Sequence, residues 1–208
     1  MAAILGNLRT TIHISLALAI IFFGAYAFAY DSIGFSYGFW TAVARWTHVV
    51  SGVMWIGLLW YFNFVQIPTM PQIPDEQKPA IGKHIAPKAL FWFRWGAAAT
   101  VLTGLIVLGL RHATGAYGFV DVLGLGIFSE TYSPQYSFLG VGIWMALIMA
   151  FNVWFIIWPK QKIALGLVEA DADAKPAAAK TAMLFSRTNT LLSLPMLVAM
   201  AGAQTLFG

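Results

Sequence analysis

"THVVSGVMWIGLLWYFNFVQ", Thr47 to Gln66, runs for twenty residues without a formal charge. A helix rising 1.5 Å per residue needs about 20 apolar residues to cross a hydrocarbon layer of roughly 30 Å. The stretch lacks the strict apolar/polar alternation of a barrel strand, and backbone groups in lipid must be satisfied within their own segment. It reads as part of a transmembrane helix, and the rest of the 208-residue chain agrees. Sixty per cent of the residues are hydrophobic and only 10% are charged, against the roughly 25% charged of an average soluble domain. The fold class expected is an all-α, polytopic membrane bundle, a single transmembrane domain over 1–208.

Working outward, the same logic places five spans, at about residues 10–30, 40–66, 87–110, 136–158 and 182–207. The first, "TTIHISLALAIIFFGAYAFAY", follows Arg9 as a signal peptide would. Its apolar part exceeds the usual signal length and no small-x-small site ends it, so it is read as retained. The second is closed by the breakers of "IPTMPQIPDEQKP". Pro87 suits the first turn of the third, and Pro159 ends the fourth. Pro195 lies inside the fifth, where neighbouring helices can satisfy the carbonyl it frees.

Loop charges give the orientation. With the N-terminus and the second and fourth loops on one side, that side collects Arg9, Lys78, Lys83, Lys88, Lys160, Lys162, Lys175, Lys180 and Arg187, nine of the twelve basic residues. Cytoplasmic loops carry such an excess, so the N-terminus is expected in the cytoplasm and the C-terminus outside. The formal charge of +4 is thereby explained by topology, without nucleic acid. "VEADADAKPAAAKTA", Val168 to Ala182, reads as a solvated cytoplasmic helix or flexible linker rather than a domain, within a cytoplasmic linker at 163–181. The outer loop at 113–135 is too polar and too broken by glycine to span, and its apolar half is expected along the membrane surface. With no cysteine in the chain, disulfides, iron–sulfur clusters and covalently attached c-type haem are excluded within it.

Depth sorts the polar residues into two layers. His48 lies about eight residues below the outer end of the second span, roughly 12 Å deep. Ser51, Gly52 and Trp55 follow on its face at i+3, i+4 and i+7, and Arg45 stands one turn above, placed to pair with a carboxylate. His13 and His84 belong to the opposite side, which leaves His112, at the outer end of the third span, as the one other histidine near this layer. An ionisable group in a span marks a functional site, while small-residue packing and a hydrogen bond to a neighbouring helix are the structural alternative. The inner layer gathers Asn63, Gln66, Lys88, Arg94, Asn152, Arg187 and Asn189, which read first as polar glue and lipid-phosphate contacts. No span carries an Asp or Glu in its interior, which argues against a proton pump or cation transporter.

Four stretches together, "THVVSGVMWIGLLWYFNFVQ" (47–66), "PKALFWFRWGA" (87–97), "NVWFIIWPKQ" (152–161) and "SRTNTLLSLPMLVAM" (186–200), resemble the urate oxidase N-terminal membrane family. Its longer members are cytochrome-c-linked urate hydroxylases with a C-terminal cytochrome c domain. The resemblance covers about residues 40–206, and the looser "HVxxGxxWxG" pattern is also similar to membrane protoporphyrinogen oxidases. It implies a b-type haem and an electron acceptor of the cytochrome c kind on the outer side, in a multi-pass protein of the bacterial inner membrane. On that reading His48 is the metal ligand and Arg45 a propionate partner, with Trp55 against the ring. The family pattern also implies a histidine after the "PML..M" stretch of the fifth span. Ala203, Gln204 and Thr205 stand there instead. A second ligand from Met200, Met54 or His112, a five-coordinate iron and no haem at all all stay open. Two expectations follow: a haem b electron-transfer protein working with a separate cytochrome c or the respiratory chain, or a cofactor-free accessory subunit of a larger respiratory or photosynthetic complex. Whether the chain is itself an enzyme is left open.

Overall fold

The computed structural model describes residues 2–30, 33–130, 132–171 and 173–207, and no strand occurs among them. A short helical turn, Ala2–Leu5, precedes α1 (Leu8–Ala29). Then come α2 (Tyr37–Trp60), α3 (Ala86–Ala113), the short α4 (Phe119–Leu123), α5 (Pro134–Phe151), α6 (Trp158–Ala164) and α7 (Ala174–Thr205). Local chemistry starts several of these. The Asn7 side chain accepts from the Arg9 and Thr10 amides, and Ser36 from the Phe39 amide, so that donors orphaned at a helix start are satisfied. Pro134 occupies a first turn, where the missing N–H is harmless. Pro87 and Pro159 instead lie within the continuous stretches Lys78–Ala113 and Pro134–Ala164, each just after a π-helical segment, so the fourth span runs past Pro159 to Ala164 rather than ending there.

Four helical stretches are long and apolar enough to cross a membrane: Leu8–Ala29, Tyr37–Gln72, Lys78–Ala113 and Pro134–Ala164. The protein is a multi-pass, all-helical membrane protein. The fifth expected span differs. At 32 residues α7 is long enough, but it carries polar side chains that it turns inward. Ala178, Ala182, Ser186, Asn189, Ser193, Met196, Ala199 and Ala203 form its buried stripe, at helical spacings of three and four. It also starts at Ala174, so residues 174–181 of the expected linker are its first two turns, the helical one of the two forms expected for that stretch. Alanine is the best helix former, and the Ala-rich run extends the helix into the linker.

Residue pairs fix the packing direction. His48 meets Thr100, Trp55 meets Gly96 and Phe62 meets Phe93, so α2 and α3 run antiparallel. Trp60 with Ser193 and Asn63 with Ser186 set α7 antiparallel to α2, and Gly142 with Ala199 and Met149 with Asn189 do the same for α5 and α7. Two glycines permit the close crossings. A Cβ on Gly96 would lie 3.2 Å from the Trp55 backbone nitrogen, and one on Gly142 would lie 2.6 Å from the Ala199 Cβ. Small residues at crossings let helices associate by close van der Waals contact where no hydrophobic effect acts between them.

The core sits toward the inner half. Trp55, Leu59 and Phe62 interlock there with Leu90, Phe93 and Ala97, and with Met149, Val153, Ile157 and Met196. By contrast α1 is almost wholly exposed, touching α2 chiefly through Phe23, whose ring meets Phe39 and Trp46 edge-on. The helices below α2 and α5 loosen to π geometry at Tyr61–Gln66 and Asn152–Ile157. Each such segment carries an asparagine turned toward α7. The outer loop folds back on the bundle for part of its length: Val122 of α4 is fully buried and the Trp144 indole donates to the Leu123 carbonyl at 2.9 Å. Val120, Ile127 and Phe128 keep the expected exposed apolar surface.

Candidate functional site

His48 points from the middle of α2 toward α3. Its Nδ1 lies 2.8 Å from the Thr100 carbonyl oxygen and 3.3 Å from the Thr103 hydroxyl. A carbonyl can only accept, so Nδ1 carries the proton and the neutral ring keeps its lone pair on Nε2. Nε2 makes no hydrogen bond among the described residues. The ring packs on Gly104 through its Cε1 and Nδ1 atoms: an added Cβ would stand 3.0 Å from Cε1 and 3.2 Å from Nδ1, with Nε2 farther off at 3.9 Å. This is the arrangement in which a backbone carbonyl orients an imidazole for ligation through its other nitrogen.

The space it faces is a partly open cavity of about 400 Å³ lined by α2, α3, α5 and α7, within the size range of cofactor and small-molecule sites. Its walls are mostly aliphatic, and four of the five residues singled out from sequence, Arg45, His48, Trp55 and Met200, line it. Two of them bring buried donors with no partner: Arg45 Nε and the Trp55 indole N–H. A buried donor left without an acceptor costs about 1–3 kcal/mol, so a site that keeps two of them fits a guest carrying acceptor groups. An imidazole lone pair, a guanidinium, a thioether and apolar walls form a donor set that suits haem b.

The fifth, His112, does not reach the cavity. Its ring packs against Phe119, and it lies beside Gly118 and Asp121 at the start of α4. The Asp121 carboxylate accepts from the Ser129 hydroxyl and from the Gly118 amide at 2.7 Å. These bonds, with a smaller contribution from His112, hold its pKa below the ordinary carboxylate value.

Gln135, Thr100, Thr103 and Gly104 are not singled out from the sequence. Gln135 donates to the Ala203 carbonyl at 2.8 Å and ties the start of α5 to the end of α7. Gln204 and Thr205 close the outer end beside Tyr117. Thr100, Thr103 and Gly104 form the seat of the imidazole, and the run "TVLTG" (100–104), two threonines leading to a glycine on an otherwise aliphatic helix, is the trace they leave in the sequence.

The inner layer forms a separate, hydrogen-bonded core. Asn63 donates to the Leu59 carbonyl and the Ser186 hydroxyl, Asn152 donates to Asn189, and Asn189 donates to the Met149 carbonyl. Trp60 donates to Ser193. Lys88 and Arg187 take no part in these bonds.

No curated protein and no solved structure matches the chain. Residues 115–205 match the urate oxidase N-terminal family, which bears out the resemblance over the outer loop, α4, α5, α6 and α7.

Proposed function

We propose that the protein binds a b-type haem in the cavity between α2, α3, α5 and α7 and works as an electron-transfer protein of the bacterial inner membrane, with a separate cytochrome c or the respiratory chain as partner. The observation that carries this reading is the His48 imidazole, whose Nδ1 is committed to Thr100 and whose Nε2 is left free beside the cavity. His48 would hold the iron, and Thr100 would keep the ring in the ligating tautomer. Arg45 offers its unpaired Nε to a propionate. Met200 is the thioether available on the α7 wall, a ligand type that raises the potential of a histidine-bound haem. Trp55 and the aliphatic walls keep water away from the centre. Bound there, the group would supply one-electron redox chemistry.

The test is haem content. Protein purified in detergent and supplied with haem should bind it with a stoichiometry near one, and the reduced form should be reoxidised by soluble ferric cytochrome c. Urate-dependent reduction of that cytochrome is a separate assay, because likeness to a family does not transfer a substrate.

A second reading, a cofactor-free accessory subunit of a larger membrane complex, is favoured by Gln204 standing where the family pattern implies a histidine, and by the bare surface of α1. Protein that stays haem-free when saturated with haem, yet purifies with a defined complex, would select it.

A further inference from the structure

Arg94 lies on α3, in the inner half of the bundle, with only 9% of its surface exposed. Its guanidinium carbon sits 3.4 Å from the centroid of the Trp158 ring at the start of α6. Lys162, one turn further along α6, has its Nζ 5.8 Å from the same centroid. Two cations therefore share one indole, no farther apart than those two distances together. Neither has a carboxylate: among the described residues the ion pair is Lys78 with Asp75, at a different turn of the chain. Arg94 makes no hydrogen bond to protein, and its Nη1 is buried without any acceptor. The adjacent Gln161 leaves its Oε1 buried and equally unpartnered.

A cation–π contact answers the face of a guanidinium and leaves its five N–H donors unspent. Two like charges held near each other in a low-dielectric region repel, and an anion is what makes such a pairing favourable. Its chemistry is constrained by the surroundings. The site lies at the basic end of the bundle, with Lys88 on the same helix and Lys160 beside Lys162. Next to Arg94 on α3 and one turn before it stand Trp95 and Phe91, large side chains about half exposed. A ligand that joins a negatively charged, two-oxygen head to apolar tails meets both demands at once.

We propose that Arg94, Trp158 and Lys162 form a binding site for the phosphodiester of an anionic glycerophospholipid. Arg94 meets two phosphate oxygens with its fork, Lys162 adds a point charge, and the acyl chains run along the exposed aromatics of α3. Basic pockets between transmembrane helices recognise anionic headgroups in this manner. The Gln161 carbonyl oxygen is placed to accept from a glycerol hydroxyl, which favours phosphatidylglycerol over a headgroup without donors.

The experiment is lipid titration of the purified full chain, read by native mass spectrometry and by thermal shift. Phosphatidylglycerol, phosphatidylcholine and inorganic phosphate are compared on wild type, Arg94→Gln and Lys162→Gln. Phosphatidylglycerol should bind and stabilise the wild type, phosphatidylcholine should bind at least about tenfold more weakly, and each variant should lose about tenfold in apparent affinity, as removal of one charge-assisted contact implies. Lys162→Gln alters a partly exposed position, so it keeps the test decisive even where Arg94→Gln fails to fold. Equal binding of the two lipids, or wild-type affinity in Lys162→Gln, overturns the site. Stabilisation by inorganic phosphate equal to that by phosphatidylglycerol overturns its assignment to lipid.

Discussion

Replacing Gly104 by alanine separates the ligand role of His48 from a purely structural one. The added methyl would begin 3.0 Å from Cε1 and 3.2 Å from Nδ1 of the His48 ring, so the imidazole must move by a few tenths of an ångström. The Nδ1 to Thr100 bond, now 2.8 Å, then stretches toward the limit at which such bonds hold. Its weakening removes about 1 kcal/mol, a factor of about five in an equilibrium constant. Where the bond orients a metal ligand, disturbing it costs roughly 10- to 100-fold in affinity. The effect on the fold has the opposite sign, because alanine is better than glycine inside a helix by about 0.5–1 kcal/mol. Gly104→Ala should therefore keep or raise the melting temperature of haem-free protein while weakening haem binding at least tenfold or so. Absorbance titration with haem and a thermal melt of the same preparation measure the two quantities. Wild-type haem affinity in a folded Gly104→Ala variant would refute the reasoning, as would equal losses in stability and binding.

Two further outcomes follow from the polar contacts. Asn189→Leu removes an acceptor from Asn152 and a donor from the Met149 carbonyl at a fully buried position; stability in detergent unfolding should fall by about 1–3 kcal/mol, with haem affinity nearly unchanged, because the contacts belong to the inner layer. The Asp121 carboxylate, whose pKa is depressed by Ser129, then Gly118, with His112 adding a little, stabilises the outer loop above the ordinary aspartate value near pH 3.9. That contribution is lost as the pH falls through the lowered value. Hydrogen exchange at the Gly118 amide should accelerate in acid, and Asp121→Asn should show fast exchange already at neutral pH with little further change.

Much of this architecture is legible in the sequence because desolvation leaves a strong mark on composition. The span expected at 87–110 is α3 at Ala86–Ala113, and the one expected at 40–66 is α2 with its π-helical extension to Gln66, beyond which the helix runs on to Gln72. Depth and helix face put Arg45, His48 and Trp55 together, the family resemblance adds Met200, and all four line one cavity. What depth does not give is rotation about the helix axis, which packing decides. The partner of His48 is a backbone carbonyl, and a carbonyl looks the same under every residue type. His112 lies outside the cavity for a related reason: its ring packs on Phe119 of α4, through a fold-back that the loop sequence does not announce. The π-helical turns at Asn63 and Asn152 are likewise a change of one residue in a hydrogen-bond ladder, with no compositional trace. The polarity of α7 is the opposite case. Its serines and asparagine lower its hydropathy below that of its neighbours, and only the buried stripe shows that they face protein.

The central claim is that His48 is a metal ligand, and the visible spectrum tests it most directly. Wild-type protein reconstituted with haem, recorded oxidised and after dithionite reduction, should show the sharp reduced α-band of a b-type haem, and folded His48→Ala should lose it. A featureless wild-type spectrum under saturating haem, or an α-band that survives unchanged in His48→Ala, would contradict the account.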